Sequence, residues 1–402
     1  MLYNLFKYID KVYDLPGSGM FQYITFRGVA SFIIAMLIVI FFGKTIIRKL
    51  QRMQIGEEIR DLGLEGQLQK KGTPTMGGIL ILMAILIPIV LFARLDNIYI
   101  LLMIVSTVWC GAIGFLDDYI KVFRHNKEGL KGKFKIVGQI GLGIIVGTVM
   151  CFSEDVVVRE SSQELSADAH RVTIEQFEDV KTTKTTIPFF KENEFDYSYL
   201  TFGNQPLAWI VYVLMAILIV TAVSNAANLT DGIDGLLTGV SIPIVVVLGV
   251  LAYLSGHIVY ADYLNIMFIP DSGELLVFAL AMIGALLGFL WYNSFPAQIF
   301  MGDTGSLAIG GIIAVFALCI RKELLLPIMC AIFVVEALSV IIQRRYFAYT
   351  KRKYGQGRRV FLMAPIHHHY QKQGIPESKI TMRFIIISLL LAAISLITLK
   401  IR

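Results

Sequence analysis

Ten apolar runs decide what this chain can become: roughly 23–43, 76–93, 99–116, 134–152, 206–224, 236–255, 274–292, 305–320, 323–343 and 381–399. About 20 predominantly apolar residues in helical form cross the ~30 Å hydrocarbon layer of a bilayer. In lipid the backbone must satisfy its own hydrogen bonds, which leaves helices or closed barrels, and the short alternating segments of a barrel are absent. The sequence therefore predicts an all-α polytopic integral membrane protein with about ten transmembrane helices, forming a single membrane domain over 1–402. Only 16% of its residues are charged, against a usual ~25%. The opening MLYNLFKYIDKVYDLPGSG has no apolar core of its own, so the first span is expected to act as the insertion signal.

Basic residues orient such a chain, because Lys and Arg concentrate in cytoplasmic loops. Of the 36 Lys and Arg, 22 fall in the loops that follow the odd-numbered spans, although the loops 225–235 and 293–304 hold none. With ten spans, both termini are then expected outside, and five loops face the cytoplasm. Residues 153–205 form a long acidic insert on the outer side. Within it RVTIEQF and TTKTTIPFF alternate apolar with polar residues, which predicts a small β-hairpin; His170 reads as a solvated loop residue. Cys110, Cys151, Cys319 and Cys330 lie in or beside spans without CxxC spacing, so buried structural thiols are expected. The bilayer itself is the first partner, the basic inner face suits anionic headgroups, and no nucleic-acid partner is expected.

Carboxylates and amides gather on the inner side. The third span ends in GFLDDYIK, with Asp117 and Asp118 adjacent; the loop after the fifth reads SNAANLTDGIDGL, with Asn225, Asn228, Asp231 and Asp234; the loop after the seventh reads NSFPAQIFMGDTGSL, with Asn293 and Asp303. One Asp at a span end is ordinarily an interfacial cap, and Asn225 can simply end its helix. Three such groups on one face call for another reading. Mg²⁺ takes oxygen ligands, usually one or two carboxylates plus substrate phosphates, and the glycines of TDGIDG and MGDTGS let backbone approach a ligand closely. Lys121, one helical turn beyond Asp117, with Lys131, Lys133, Lys135, Lys70, Lys71 and Thr75, could hold phosphate oxygens, although for Lys127 and Lys135 a solvated position is the first reading. Neither GxxxxGK[ST] nor GxGxxG occurs, which excludes a P-loop enzyme and a Rossmann dehydrogenase. The small residues of GVASFIIAM and GGILIL read as helix-packing positions.

The last inner loop carries RRVFLMAPIHHHYQKQG. His367, His368 and His369 are poor zinc spacing on a helix, where neighbours diverge by ~100°; on the carboxylate face they read as hydrogen-bond partners of a sugar or phosphate. Arg358 and Arg359 nearby could hold phosphate or lipid headgroups.

Taken together, KKGTPTMGGI, GFLDDYIK, NAANLTDGIDGL, IFMGDTGSL and APIHHHYQ, in this order on a ten-span chain, resemble the phospho-N-acetylmuramoyl-pentapeptide transferases of the polyprenyl-phosphate N-acetylhexosamine-1-phosphate transferase superfamily. The resemblance covers about 23 to 400, and the histidines and KKGTPTMGG favour the muramoyl branch. It implies transfer of phospho-N-acetylmuramoyl-pentapeptide from its UDP conjugate to undecaprenyl phosphate, giving lipid I and UMP. It also implies Mg²⁺, a homodimer and the bacterial cytoplasmic (inner) membrane. By resemblance Asp303 is the Mg²⁺ ligand, and Asp117 and Asp118 are catalytic carboxylates. Lys70, Asp231, Gly232, Ile233, Asp234 and Phe300 surround the uridine. Thr75, Lys121, Lys133, Asn228, Asn293 and the three histidines match the other polar positions of the cleft.

Three readings compete with it. A sister transferase could use UDP-N-acetylglucosamine. An intramembrane prenyltransferase wants DDxxD, whose fifth position is Lys121 here. A lipid or ion transporter needs carboxylates near mid-span, where Glu336 stands as the clear instance, lining a lipid groove or pairing within the bundle.

Overall fold

The computed structural model describes residues 1–13, 16–53, 72–124, 126, 129–162, 176–190 and 194–399. Lys70, Lys71, Lys127, His170 and most of RVTIEQF lie outside them. An amphipathic helix, α1 (Leu2–Tyr13), precedes α2 (Ile24–Arg52), α3 (Gly78–Phe92), α4 (Ile98–Phe123) and α5 (Gly132–Phe152). Four short strands follow, β1 (Val158–Ser162), β2 (Gln176–Val180), β3 (Lys184–Thr186) and β4 (Glu194–Asp196). The helices resume with α6 (Gln205–Thr230), α7 (Leu236–Ser255), α8 (Ile258–Leu264), α9 (Leu275–Asn293) and α10 (Gly302–Cys319). The chain closes with α11 (Leu326–Met329), α12 (Ala331–Tyr354), α13 (Ile366–Lys372) and α14 (Glu377–Ile397).

Among the described residues eight helices are long and apolar enough to cross a membrane, namely α2, α4, α5, α6, α7, α9, α10 and α14. The segment 323–329 and α12 together are apolar and long enough for a ninth span but meet at 77°, the geometry of a broken span or a re-entrant loop. The tenth expected span, α3, has 15 residues and reaches only ~22 Å at 1.5 Å per residue. It is cut short because Met76, at φ 70°, and Ala93, extended, cannot continue a helix. Several ends carry side-chain caps that satisfy otherwise unpaired amides. Asn97 Oδ1 accepts from Tyr99 and Ile100 (2.9 and 3.1 Å) at α4, and Asn204 Oδ1 accepts from Leu207 (3.3 Å) at α6.

The helix at the centre is α10, buried at every residue from Thr304 to Cys319. It packs against α4, α6 and α3, while α2 lies along α9, α5 along α6, and α14 along α7. Lipid tails are as apolar as leucine, so association inside a bilayer depends on close fit and interhelical hydrogen bonds. Small residues supply that fit here, as expected for GGILIL. A Cβ added to Gly78 would lie 2.1 Å from the Gly305 amide nitrogen, and one on Gly114 would lie 2.2 Å from the Asp303 carbonyl oxygen. Three helices thus touch backbone to backbone beside the carboxylates. The four cysteines are free and buried.

The opposite end is held by buried charge. The Arg27 guanidinium on α2 grips both carboxylate oxygens of Glu274, which precedes α9, with Nη2 to Oε2 at 2.9 Å. Arg27 Nη1 also donates to the Phe92 carbonyl (3.1 Å), and Glu274 Oε1 accepts from the Arg94 amide (2.8 Å). At this end too the insert is fastened to the body. Strands β1 and β2 pair antiparallel, as do β3 and β4. Above the end of α10 the Arg321 carbonyl accepts from the Thr186 amide (3.0 Å) and Thr185 Oγ1 (3.1 Å), and the Tyr197 hydroxyl donates to Glu323 (3.2 Å).

Candidate active site

The end of α4, the start of α5, the end of α6 and the start of α10 converge on one group of side chains. Helix periodicity puts Asp117 and Lys121 one turn apart on α4, and their Oδ2 and Nζ atoms lie 2.6 Å apart. Asp117 Oδ1 accepts from the Leu130 amide at 2.7 Å and lies 3.0 Å from Lys135 Nζ. Asp303, in the first turn of α10, accepts Asn228 Nδ2 on Oδ1 (2.8 Å), with Lys135 Nζ (2.6 Å) and Lys121 Nζ (3.0 Å) on Oδ2. A negative side chain in that first turn is also favoured by the helix dipole.

Asp118 plays a different part. Its Oδ1 accepts the Asp303 amide (3.0 Å), and its Oδ2 accepts the Thr304 amide (2.9 Å) and Thr304 Oγ1 (2.6 Å). It therefore caps α10 from a neighbouring helix, supplying acceptors to amides that no intrahelical carbonyl can reach. The two adjacent carboxylates of GFLDDYIK are thus unlike: Asp117 faces the lysines, and Asp118 fixes the backbone that carries Asp303.

Asp117, Asp118 and Asp303 bring ligand atoms within 4.8 Å of one another. Like charges ~4 Å apart repel by about 4 kcal/mol even at an effective dielectric of ~20. Lys121 and Lys135 offset part of that, and a divalent cation is the other charge this set accommodates. Its donors are all carboxylate oxygens, which suits a hard ion such as Mg²⁺ over zinc or copper.

The remaining expected residues sort by position. Thr75 is buried beside the cluster, on a segment stitched to the start of α10: the Phe300 amide donates to Pro74 O (2.8 Å), and the Gly77 and Gly78 amides to Phe300 O and Met301 O (2.9 and 2.8 Å). Asn228 also donates to Ser306 Oγ (2.8 Å). Asp231 ends α6, and the turn to Asp234 is fixed by Glu377 Oε1 accepting the Asp234 amide (2.7 Å) and Asp234 Oδ2 accepting the Ala297 amide (3.0 Å). Ile233 is buried and Gly232 exposed. Asn293 is buried and spans that turn, accepting from Gly235 N and Thr238 Oγ1 and donating to Ile299 O; its side chain is committed to the fold. His367 lies against Gly232, while His368 contacts Gln371 and His369 accepts from the Leu362 amide. Lys133 is exposed on the first turn of α5, and among the described residues it makes no hydrogen bond to the carboxylates.

Two expectations are corrected. Lys135 is not solvated: only 16% of its side chain is exposed, and it bridges Asp117 and Asp303. Asn225 does not end its helix, since α6 runs on to Thr230 and Asn225 Nδ2 donates to Gln139 Oε1 (2.7 Å). The phase of α5 would have separated Lys135 from Lys133, but a helix of such low amphipathicity does not reveal its phase in sequence. Thr304 and Ser306 were in plain view inside MGDTGSL and carry the same polar signal as Asp303.

Comparison with known proteins gives a consistent picture. The glycosyl transferase family 4 profile matches residues 100–321. A phospho-N-acetylmuramoyl-pentapeptide-transferase signature matches residues 70–82. Over the whole of both chains the sequence is 56% identical to the phospho-N-acetylmuramoyl-pentapeptide-transferase of Flavobacterium psychrophilum and 56% identical to that of Parabacteroides distasonis. It is 55% identical to that of Amoebophilus asiaticus, again over both full lengths.

Proposed function

Because the chain belongs to the phospho-N-acetylmuramoyl-pentapeptide-transferase family within glycosyl transferase family 4, we propose that it transfers phospho-N-acetylmuramoyl-pentapeptide from its UDP conjugate to undecaprenyl phosphate, releasing UMP and forming lipid I, a peptidoglycan precursor. The observation that carries this reading is the meeting of Asp117 and Asp303 with Lys121 and Lys135 at the ends of membrane helices. One substrate is a water-soluble nucleotide and the other a lipid phosphate, so their reaction belongs at a membrane surface. The Lys and Arg distribution supports a cytoplasmic site with both termini outside, and the bacterial relatives support the inner membrane. The reading includes a homodimer.

Mg²⁺ suits the site, with Asp303 as ligand and Asp117 beside it, and when bound it neutralises charge on the diphosphate as UMP departs. The protein's own groups do the rest. A phosphate monoester has a second pKa of ~6, so the lipid phosphate is mostly dianionic at neutral pH and needs no base. Its oxygen attacks the β-phosphorus directly, the bond to the UMP oxygen breaks, and UMP carries the electron pair away. Asp117, held by the Leu130 amide and both lysines, keeps those ammonium groups aimed at the reacting phosphates. Asp118 keeps Asp303 at a fixed height on α10.

Lys135 is then a phosphate-facing cation. Lys135→Ala is expected to lower kcat by about a hundredfold, the usual effect of removing one preorganised donor from a developing charge. Lys135→Arg should retain part of the rate; an alanine variant with the parental kcat would remove Lys135 from the chemistry. The reading as a whole is tested by UMP release from purified protein with undecaprenyl phosphate, Mg²⁺ and either UDP-N-acetylmuramoyl-pentapeptide or UDP-N-acetylglucosamine. Release with the muramoyl nucleotide alone is expected. Release with the glucosamine nucleotide alone would move the protein to the sister branch, and release with neither would refute the reading.

A further inference from the structure

The chemistry above leaves Glu336 unused, although this residue sits inside the ninth apolar run. It is fully buried on α12, and its Oε2 lies 3.0 Å from Nδ1 of His367, itself fully buried on α13. An ionised carboxylate can only accept, so in this contact Nδ1–H donates to Glu336 Oε2. Neither Nε2 nor the second oxygen, Oε1, has a hydrogen-bond partner among the described residues.

The imidazole has a clear target. It seats on Gly232, where a Cβ would come within 2.1 Å of Nε2 and 2.6 Å of Cε1. Gly232 is exposed on its other side, and its neighbours Ile233 and Asp234 are buried. The turn is therefore fastened at Asp234, through Glu377 and the Ala297 amide, and rests on His367 at Gly232. Glu336 fixes which ring nitrogen is protonated and how the ring is tilted, as a carboxylate does for a histidine it hydrogen-bonds.

We propose that Glu336 is a positioning residue for the nucleotide half of the reaction, acting through His367 to set the Asp231–Asp234 turn that receives the nucleoside diphosphate. This deepens the proposed function and rests on it. It also separates two roles that the sequence left open for Glu336. Val335, Leu338, Ile341 and Ile342 of α12 are exposed, a face suited to the polyprenyl chain, whereas Glu336 is turned inward to α13.

The test is steady-state kinetics of the full-length protein in detergent, with each substrate varied in turn. A loss of ground-state positioning shows as a raised KM for the substrate concerned. Glu336→Ala is expected to raise the nucleotide KM about tenfold or more and the polyprenyl phosphate KM by less than about twofold. Glu336→Gln keeps an oxygen that can accept from Nδ1 and is expected to stay within about threefold of the parent in both. Were Glu336→Ala not to fold, Glu336→Asp carries the same test, because its shorter side chain draws the carboxylate back from Nδ1 of His367 while keeping its charge. A rise in the lipid KM alone, equal damage from the Gln and Ala substitutions, or an unchanged nucleotide KM in both Glu336→Ala and Glu336→Asp would overturn the proposal. Turnover by the parent protein measures the underlying reading separately, so an active parent with variants of that kind would sink only this inference.

Discussion

Replacing Asp303 with alanine is expected to lower UMP release by about a thousandfold or more, corresponding to roughly 4 kcal/mol of barrier. The side chain receives Lys121, Lys135 and Asn228, so its loss leaves two ammonium groups facing Asp117 alone and removes one of the three carboxylates that could hold a divalent ion. The protein itself should survive, because the cap of α10 is Asp118 and not Asp303. Asp303→Ala should therefore keep a melting temperature close to the parent's while losing its rate. Asp118→Ala should lose both, since it frees two helix-end amides and the Thr304 hydroxyl. Measured side by side, kcat and Tm distinguish the two aspartates. An Asp303→Ala protein within tenfold of parental kcat would exclude Asp303 from the reaction.

Glu274→Ala is expected to be the most destabilising single change at the other end of the bundle. Arg27 is almost entirely buried, and removing one partner of such a pair costs about 3–5 kcal/mol because the remaining charge is stranded. In detergent this should appear as a fall in Tm of roughly 5 °C or more. The double replacement Arg27→Met with Glu274→Met should recover most of the loss, because no charge is then left without its counterpart. If the double variant is no better than the single one, the damage lies in lost contacts to Phe92 O and the Arg94 amide, not in the stranded charge.

Hydropathy made the membrane class and most of the helices legible, because an apolar run of bilayer length has few alternatives. Two of the ten apolar runs are not plain straight spans, since α3 is bounded by a left-handed Met76 and the ninth run is bent at 77°, and neither feature alters average hydropathy. Asp117, Asp303, Lys121 and Asn228 could be foreseen as one group from loop parity. The division of labour between Asp117 and Asp118 could not, because it depends on which carboxylate the helix rotation turns toward the amides of α10. Lys135 was hidden for a similar reason, being one of three alternating lysines in KGKFK whose fates are set by a helix start. The Arg27–Glu274 pair joins residues 247 positions apart, beyond the reach of any local pattern.

The backbone contact among α3, α4 and α10 bears on how this protein can change under selection. At Gly78 and Gly114 even a single methyl group would meet main-chain atoms of the facing helix at 2.1–2.2 Å, and main chain cannot step aside as a flexible side chain can. A lineage under pressure from an inhibitor can rewrite side chains around a pocket one codon at a time. At this junction such a step would push apart the helices that hold Asp303. An inhibitor whose fit depends on the backbone position that this buried junction fixes would leave very few viable escape mutations there.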